Sequence, residues 1–314
     1  MKGRRKMYIG IDIGGTKCAV VKGNGEGIAE KIKFDTTTPE KTLSDIFAAV
    51  ESLMPARAIG VSCGGPLDER SGVIMSPPNL PGWDDVHITD MLTERFGIPA
   101  YLCNDANACA LAEWKFGAGR GTENMIFLTF GTGLGAGLIL GGRLYSGTNG
   151  MAGEVGHIRL SNTREPVGYG KGGSFEGYCS GGGIAQLARL KARRRIEIGN
   201  PIPWADNDDK ISNITTKYLA ELAYSNNADA LEIFRESAER LGEGLSVLID
   251  ILNPQRIVIG SVYARCESLF YGEMMRVIRR EALSQSLSEC KILPAELGEQ
   301  IGDYAALTVA MKGN

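Results

Sequence analysis

One arrangement occurs twice in this 314-residue chain: an apolar strand, a glycine- and threonine-containing turn, and a second apolar strand. The first copy spans residues 7–22 and turns at Gly14-Gly15-Thr16-Lys17. The second copy spans residues 125–140 and turns at Gly131-Thr132-Gly133. A chain of this length supports about two domains, and strands that alternate with helical segments are typical of α/β architecture. The repeat therefore predicts a duplicated α/β domain.

Apolar periodicity and turn residues locate the remaining elements. Strands are predicted at 7–13, 18–22, 28–34, 58–62, 99–103, 125–130, 134–140 and 256–259. Helices are predicted after Thr38-Pro39 and at 88–96, 106–116, 227–252, 266–283 and 303–311, with loops at 66–86, 161–175 and 200–213. We expect an N-terminal domain of residues 1–117, completed by a C-terminal helix at about 302–314, and a second domain of residues 118–301.

The charge balance and the apolar pattern of the chain argue against binding to nucleic acid and to membranes. Lys and Arg (34) nearly balance Asp and Glu (37), and a net charge of -3 does not suit nucleic acid. The basic start, Met1 to Lys6, precedes an apolar stretch that ends at Asp12, which is too short for a signal peptide. No run approaches the length of a membrane span, so we expect a cytoplasmic protein without membrane contact. The seven cysteines include no CxxC pair and are predicted to be buried, reduced thiols.

The first turn is a candidate phosphate loop. Its glycines allow backbone N–H groups to approach an oxyanion closely, and the Thr16 hydroxyl and the Lys17 ammonium add donors. Asp12, at the end of the preceding strand, can hold Mg2+ directly or through water. A plain glycine-rich hairpin turn explains the same residues equally well.

The second turn is a candidate for the same role. Residues 131–136 fit the dinucleotide pattern G-x-G-x-x-A, but a strand is expected after them rather than a helix, so a Rossmann site is excluded. No G-x-x-x-x-G-K-[ST] segment occurs in the sequence. Two such loops, each between strands and in different domains, indicate phosphates that are held from two sides.

Asn104-Asp105 stands at a strand-to-helix junction. Taken alone, Asp105 is better explained as a helix N-cap. Phosphoryl transfer, however, needs little beyond positioning and a carboxylate that accepts the hydroxyl proton. The carboxyl end of a strand is where an α/β fold places such a group.

A further set of polar residues suits a neutral polyol, whose hydroxyls both donate and accept hydrogen bonds. Glu154 and His157 lie close together between glycines, and Glu176 follows another glycine pair. Asn79 and Trp83 lie in a proline-rich loop. The alternatives are a buried structural histidine, a solvated surface carboxylate and a tryptophan that only packs.

With these motifs in this order, the sequence resembles the ROK family (repressors, open reading frames and kinases) of bacterial sugar kinases and regulators. The resemblance covers essentially the whole chain. It implies an α/β, two-domain actin-like (ribonuclease H-like) ATPase fold with an interdomain cleft. It also implies ATP and Mg2+ as cofactors, a sugar as substrate, and the homodimers that are frequent in the family.

The resemblance assigns a role to each motif. Asp105 is implied to be the base that takes the proton from a sugar hydroxyl. The implied sugar contacts are Gly65, Asn79, Asn104, Asp105, Glu154, His157 and Glu176. The implied ATP contacts are Asp12, Gly14, Gly15, Thr16, Lys17, Gly131, Thr132, Gly133, Gly135 and Gly260, the last in the stretch near the adenosine.

The sequence departs from the family pattern at two places. Family kinases commonly hold a structural zinc through a histidine and three cysteines in C-x-C-G-x-x-G-C-L-E. Here Val167, Tyr169 and Ser174 replace the cysteines, and His157 alone cannot hold a tetrahedral zinc. We therefore expect no structural zinc. The second departure is Ser261, which follows Gly260 where a second glycine is usual.

The leading hypothesis is an ATP-dependent kinase for a glucose-like hexose, acting at the 6-hydroxyl. A kinase for N-acetylglucosamine or N-acetylmannosamine remains the alternative. A sugar-responsive transcriptional regulator is disfavoured, because the first phosphate strand begins by residue 8 and leaves no room for an N-terminal helix-turn-helix. An inactive sugar-binding protein is disfavoured by Asp105 and both glycine turns.

Overall fold

The computed structural model describes residues 6–311, so the predictions for Met1 to Lys6 and for the helix to 314 lie partly outside the described residues. The strands are β1 (Tyr8–Ile13), β2 (Lys17–Asn24), β3 (Gly27–Asp35), β4 (Ile59–Cys63), β5 (Leu67–Asp68), β6 (Val73–Ile74), β7 (Ala100–Asn104), β8 (Met125–Leu128), β9 (Ala136–Leu140), β10 (Arg143–Tyr145), β11 (Val167–Gly168), β12 (Lys171–Gly172), β13 (Arg256–Ile259) and β14 (Lys291–Pro294).

The helices accompany these strands in an α/β order. They are α1 (Pro39–Leu53), α2 (Ile88–Phe96), α3 (Asp105–Phe116), α4 (Phe175–Tyr178), α5 (Gly181–Glu197), α6 (Asp208–Ser212), α7 (Thr216–Tyr224), α8 (Ala228–Leu252), α9 (Ser261–Glu281), α10 (Ser284–Glu289) and α11 (Ile301–Ala310). Short 3-10 helices span Val155–His157 and Gly298–Gln300. In the described part of the chain, no helix is both long and apolar enough to cross a membrane.

The chain divides into two compact units. The first contains Met1–Glu123, Gly137–Ala152 and Glu296–Asn314, and the second contains Asn124–Ala136 and Gly153–Ala295. The domain limits expected from the sequence stay a prediction.

The first unit is built on a five-stranded sheet with the order β3-β2-β1-β4-β7. Strands β1, β4 and β7 run parallel, whereas β2 pairs antiparallel with β1 and β3. The register pairs Ile13 with Cys63, and Cys63 with Asn104. The carboxyl ends of the three parallel strands therefore reach the same edge of the sheet.

Successive residues of β1 point to opposite faces of the sheet, and each face packs against different elements. Ile9, Ile11 and Ile13 join the core that also contains residues of α1 and α2. On the other face, a methyl group at Gly10 would overlap the backbone of Leu307, and one at Gly60 would overlap that of Ala310. Helix α11 therefore lies directly on β1 and β4, because neither strand carries a side chain at the point of contact.

The second unit contains a parallel core of β8, β13 and β14, in which Arg256 pairs with both Met125 and Lys291. Helices α8 and α9 pack against each other, and Phe270 makes edge contacts with Phe130 and Phe234 at 5.4 Å between ring centroids. These fully buried aromatic rings lie near the start of the second glycine turn, because Phe130 immediately precedes Gly131.

Several predicted boundaries were wrong. The strands at 125–130 and 134–140 are shorter, because residues 129–135 bond to one another as a loop, with Thr129 N donating to Gly135 O at 3.0 Å. The helix expected from 266 begins at Ser261, and Cys266 leaves helical geometry with a φ of -126°. The expected loops at 161–175 and 200–213 contain a short hairpin (β11–β12) and a short helix (α6).

Candidate functional site

The strand ends of the first unit bring Asp105, Asn79 and Gly64 together. Asp105 Oδ2 lies 3.7 Å from the position that a Cβ atom at Gly64 would occupy, and Asn79 Oδ1 lies 3.8 Å from it. The corresponding position at Gly65 is 3.6 Å from Asn104 Nδ2. A carboxylate and two amides thus border a strand end that lacks side chains.

Helix α3 begins at Asp105, but its N-cap is Asn104, whose side chain accepts from Ala106 N at 3.0 Å. Asp105 Oδ1 also accepts from Ala106 N, at 2.8 Å. The capping role that the sequence offers for Asp105 is therefore filled by its neighbour, and one oxygen of Asp105 is held by the helix while the other is directed toward Gly64.

Glu69 supports this junction and was missed in the sequence. Its carboxylate accepts from Asn104 N at 3.0 Å and from Asn107 Nδ2 at 3.3 Å. Asn107 is buried, so Glu69 ties the loop between β5 and β6 to the first turn of α3. A glutamate 35 residues before its partner gives no local signal of this contact.

The first glycine turn closes the β1–β2 hairpin. Gly14 N donates to Lys17 O at 3.1 Å, and the Thr36 hydroxyl donates to Gly14 O at 2.6 Å. A Cβ atom at Gly15 would lie only 2.6 Å from Asn79 O, so the turn and the Asn79 loop are in close contact. Gly15, Thr16 and Lys17 are exposed, which suits a ligand-binding role and equally a plain surface turn.

Asp12 lies in a cluster of acidic groups. Burial first, and then the negative charges of Asp303 and Asp105, raise the pKa of Asp12 from 3.8 to about 6, while Lys31 and Lys33 oppose the rise. Lys31 Nζ lies 2.5 Å from Oδ2 of Asp303, which is itself buried. A divalent cation would relieve this repulsion, and carboxylate oxygens are donors that Mg2+ prefers.

The second glycine turn, in the second unit, is tied to Glu176. Leu134 N donates to Glu176 Oε2 at 2.9 Å, and a Cβ atom at Gly133 would lie 2.7 Å from the same oxygen. Gly135 N is bonded to the Thr129 hydroxyl at 2.9 Å. One oxygen of Glu176 therefore holds the turn, and any contact with a ligand falls to the other oxygen.

The start of helix α5 faces the same turn. Gly181 N donates to Gly131 O at 2.7 Å, and Gly182 N approaches Thr132 O at 3.4 Å. Ser180 caps the helix by accepting from Gly183 N at 2.9 Å. This contact was not predicted from the sequence, although a serine before three glycines is a helix-start signal.

Glu154, His157 and Tyr169 form a group on the surface of the second unit. Both Glu154 and His157 are exposed, and the His157 ring meets the Tyr169 ring edge-on at 5.8 Å between centroids. The negative charge of Glu154 first, and then burial and hydrogen bonding toward that carboxylate, raise the pKa of Tyr169, which indicates that the phenol lies beside Glu154.

Gly260 follows β13 and donates to Leu128 O at 2.9 Å. Ser261, the first residue of α9, has a φ of +52°, and its hydroxyl accepts from Arg265 Nη2 at 3.2 Å. A Cβ atom at Gly131 would lie 3.7 Å from the Ser261 hydroxyl. The expected adenosine segment thus borders the second glycine turn.

The predicted site residues therefore fall into two sets, one in each unit. Asp12, Gly14 to Lys17, Gly65, Asn79, Asn104 and Asp105 gather in the first unit, and Gly131 to Gly135, Glu154, His157, Glu176 and Gly260 in the second. Within residues 6–311, no group of three or more His, Cys, Asp or Glu side chains is arranged to hold a metal ion by itself. The expectation of no structural zinc stays a prediction.

Comparison with known proteins shows the family to which the chain belongs. The model of the ROK family matches residues 8–312. A glucokinase from Streptomyces coelicolor is 31% identical over 310 residues, which cover 97% of this chain and 97% of that protein. A xylose repressor from Caldicellulosiruptor bescii is 30% identical over 292 residues, which cover 88% of this chain and 70% of that protein.

A solved structure shows the same fold. The crystal structure of a ROK family glucokinase from Streptomyces griseus, in complex with glucose and AMPPNP, matches with a TM-score of 0.77 and 31% identity. The match covers 98% of this chain and all of that one.

Proposed function

Because the chain belongs to the ROK family and has its two-domain actin-like α/β fold, we propose that it is an ATP-dependent sugar kinase. We further propose that the acceptor is a glucose-like hexose, phosphorylated at its 6-hydroxyl. Support comes from the glucokinases among the relatives and from a similar structure that holds glucose and an ATP analogue.

The proposal depends on the different contacts that Asn104 and Asp105 make at the start of helix α3. Asn104 caps helix α3, while Asp105 directs Oδ2 toward the glycine-lined strand end beside Asn79. A carboxylate at this place is positioned to accept a hydrogen bond from a hydroxyl group. Asp105 is therefore proposed as the general base.

In the proposed reaction, the hydroxyl of the sugar donates a hydrogen bond to Asp105. As that oxygen attacks the γ-phosphorus of ATP, the proton passes to Asp105, and the bond between the γ-phosphorus and the β,γ-bridging oxygen breaks. ADP leaves with the electron pair of that bond, and the products are a sugar phosphate and ADP. The contribution of the chain is positioning and proton transfer.

The donor groups suit ATP and Mg2+ in composition. Gly14, Leu134 and Gly135 already donate their N–H groups within the protein, so we propose that other N–H groups of the two glycine turns contact the phosphates. A side chain at Gly15 would overlap the backbone of Asn79. Asp12 would hold Mg2+ together with phosphate oxygens and water, which is the usual arrangement for this ion. When bound, Mg2+ neutralises phosphate charge.

Sugar recognition is proposed for Gly65, Asn79 and Asn104 in the first unit and for Glu154, His157 and Glu176 in the second. Of these, Glu176 has one oxygen committed to Leu134 N, so it contacts a sugar through the other. Exposed carboxylate and imidazole groups match vicinal hydroxyls, which favours a free 2-hydroxyl over an N-acetyl group.

The test is an ADP-release screen of the purified protein across glucose, mannose, fructose, allose and N-acetylhexosamines. We expect turnover with a glucose-like hexose. Preference for an N-acetylhexosamine would overturn the acceptor assignment alone. Sugar binding without any turnover would overturn the kinase and favour the role of the related repressors.

Asp105→Asn tests the proposed base. The variant keeps an oxygen for Ala106 N but cannot take a proton, so turnover should fall by ~10²–10⁴-fold while sugar affinity changes little. Asp35→Asn, at the end of β3, is the matched control for the loss of one negative charge. Turnover of Asp105→Asn within a few-fold of the parent would remove Asp105 from this role.

A further inference from the structure

Tyr169 occupies a backbone position that a tyrosine rarely adopts. The strands β11 and β12 pair Val167 with Gly172 and Gly168 with Lys171, which leaves Tyr169 and Gly170 as a two-residue turn. Their φ values are +54° and +69°. Two positive φ values define the hairpin turn that favours Asn, Asp or Gly at its first position, and a bulky residue is strained there.

The hairpin does not need the Tyr169 side chain for its own stability. The buried Ser174 hydroxyl accepts from Gly168 N at 3.1 Å and donates to Gly168 O at 3.0 Å. Gln186 accepts from Val167 N at 2.5 Å and donates to Val167 O at 3.2 Å. Tyr169 itself is 59% exposed. Packing therefore does not explain why this turn carries an aromatic residue.

The Tyr169 side chain lies next to Glu154 and His157, two of the residues that are proposed to bind the sugar. Its ring meets that of His157 edge-on, with an interplanar angle of 72°, and its hydroxyl lies close enough to Glu154 for the charge of that carboxylate to raise the pKa of the phenol. Lys171, at the start of β12, donates to His157 O at 2.7 Å and fixes the same segment from the other side. Strain that is kept at such a place is a signature of function.

We propose that Tyr169 is a positioning residue for sugar binding, which holds the Glu154 carboxylate and the His157 ring in the orientation that receives the hydroxyls. The inference rests on the proposed sugar kinase function. Glu154 and His157 are both exposed, so without such support their side chains lose rotamer freedom only when the sugar binds, and that loss weakens affinity. Tyr169 makes this ordering a property of the free protein.

If Tyr169 has this role, its substitution should change the KM for sugar and leave the KM for ATP nearly unchanged. Tyr169→Phe keeps the ring and the turn but removes the hydroxyl beside Glu154, so the KM for sugar should rise about three- to tenfold. The kcat and the KM for ATP should stay within about twofold, because the lost interaction supports the sugar equally in the ground state and in the transition state. Tyr218→Phe is the matched control, since Tyr218 also meets an aromatic ring, Trp204, edge-on at 6.2 Å.

Tyr169→Asn separates positioning from structure. Asparagine suits the positive φ, so the melting temperature should stay level or rise by one to a few degrees, while the KM for sugar rises more than in Tyr169→Phe. A purely structural tyrosine would give the opposite result: a lower melting temperature with sugar and ATP parameters changing together.

A titration of sugar without ATP completes the test, with Glu154→Gln, Tyr169→Phe and the double variant. We expect the double variant to lose less affinity than the product of the two single effects, because both substitutions disturb the same pair of neighbouring side chains. If the parent phosphorylates a sugar and Tyr169→Phe has the parental KM, the inference fails alone. If the parent neither binds nor phosphorylates any sugar, the inference and the proposed function fail together.

Discussion

The acidic cluster around Asp12 should make the protein less stable at neutral pH than it would be with a neutral residue there. Asp12 faces Asp105 and Asp303, and Lys31 is engaged with Asp303 at 2.5 Å. Burial and the two carboxylates raise the pKa of Asp12 to about 6. Ionising Asp12 is therefore harder in the folded protein than in the unfolded chain, and Asp12→Asn should remove that cost.

The magnitude and the pH range follow from linkage. The rise of the pKa of Asp12 from 3.8 to about 6 corresponds to about 3 kcal/mol, which the residual exposure of Asp12 reduces to about 2 kcal/mol. Because the folded state binds the proton more tightly, the parent is favoured below about pH 4 and loses this stability as the pH rises to about 6. Above that value the cost is constant.

The assay is thermal unfolding of the parent and Asp12→Asn with EDTA and without nucleotide, from pH 4.5 to pH 8. At pH 7.5 the variant should melt about 4–8 °C higher, since 1 kcal/mol shifts a domain of roughly 150–250 residues by about 2–4 °C. The gain should shrink as the pH falls below 6. Asp35→Asn, which removes an exposed carboxylate from the same sheet, should show no such gain.

A gain that is the same at pH 4.5 and pH 8 would contradict the electrostatic reasoning, because it would not follow the ionisation of Asp12. A variant that is less stable than its parent at pH 8 would refute it outright. That result would mean that the carboxylate of Asp12 is stabilised in the folded state.

Three further predictions follow from single contacts. A methyl group at residue 302 would overlap Asp12 Oδ2, so Gly302→Ala should lower the free energy of unfolding by about 1–3 kcal/mol. Gly272→Ala, in open space on α9, should raise it by up to about 1 kcal/mol, and thermal unfolding measures both effects. Glu69→Ala removes the acceptor of Asn104 N, and turnover should fall about tenfold with an unchanged KM for ATP; parental kinetics would contradict the supporting role of Glu69. Metal analysis of the purified protein should find no tightly bound zinc, and one zinc per chain would overturn that expectation.

Local patterns predicted the two glycine turns, the strand that ends at Asn104 and the helix that starts there. These features depend on residues within a few positions of one another, and glycine, proline and apolar alternation specify them directly. The ROK resemblance and the α/β actin-like fold class are confirmed by the family match and by the solved structure. The assignment of catalytic and binding roles stays a prediction.

What the sequence did not predict depends on contacts between distant segments. Lys31 and Asp303 are 272 residues apart, and Glu69 reaches Asn104 across 35 residues. Tyr169 stands where family kinases have a cysteine, but the sequence does not show that residues 167–172 form a hairpin. Register and close packing, which one sequence does not specify, decide each of these contacts.

The last helix of the chain shows how such packing reaches the candidate site. Gly10 and Gly60 allow α11 to lie directly on β1 and β4, and this contact fixes the position of the start of the helix relative to the end of β1. The start of α11 thereby places Gly302 and Asp303 next to Asp12. Gly302 leaves space for the Asp12 side chain, and Asp303 adds a negative charge beside it. The electrostatic environment of Asp12 is therefore set by a segment about 290 residues away, and a substitution that shifts α11 should change the pH dependence of stability even if it leaves every strand intact.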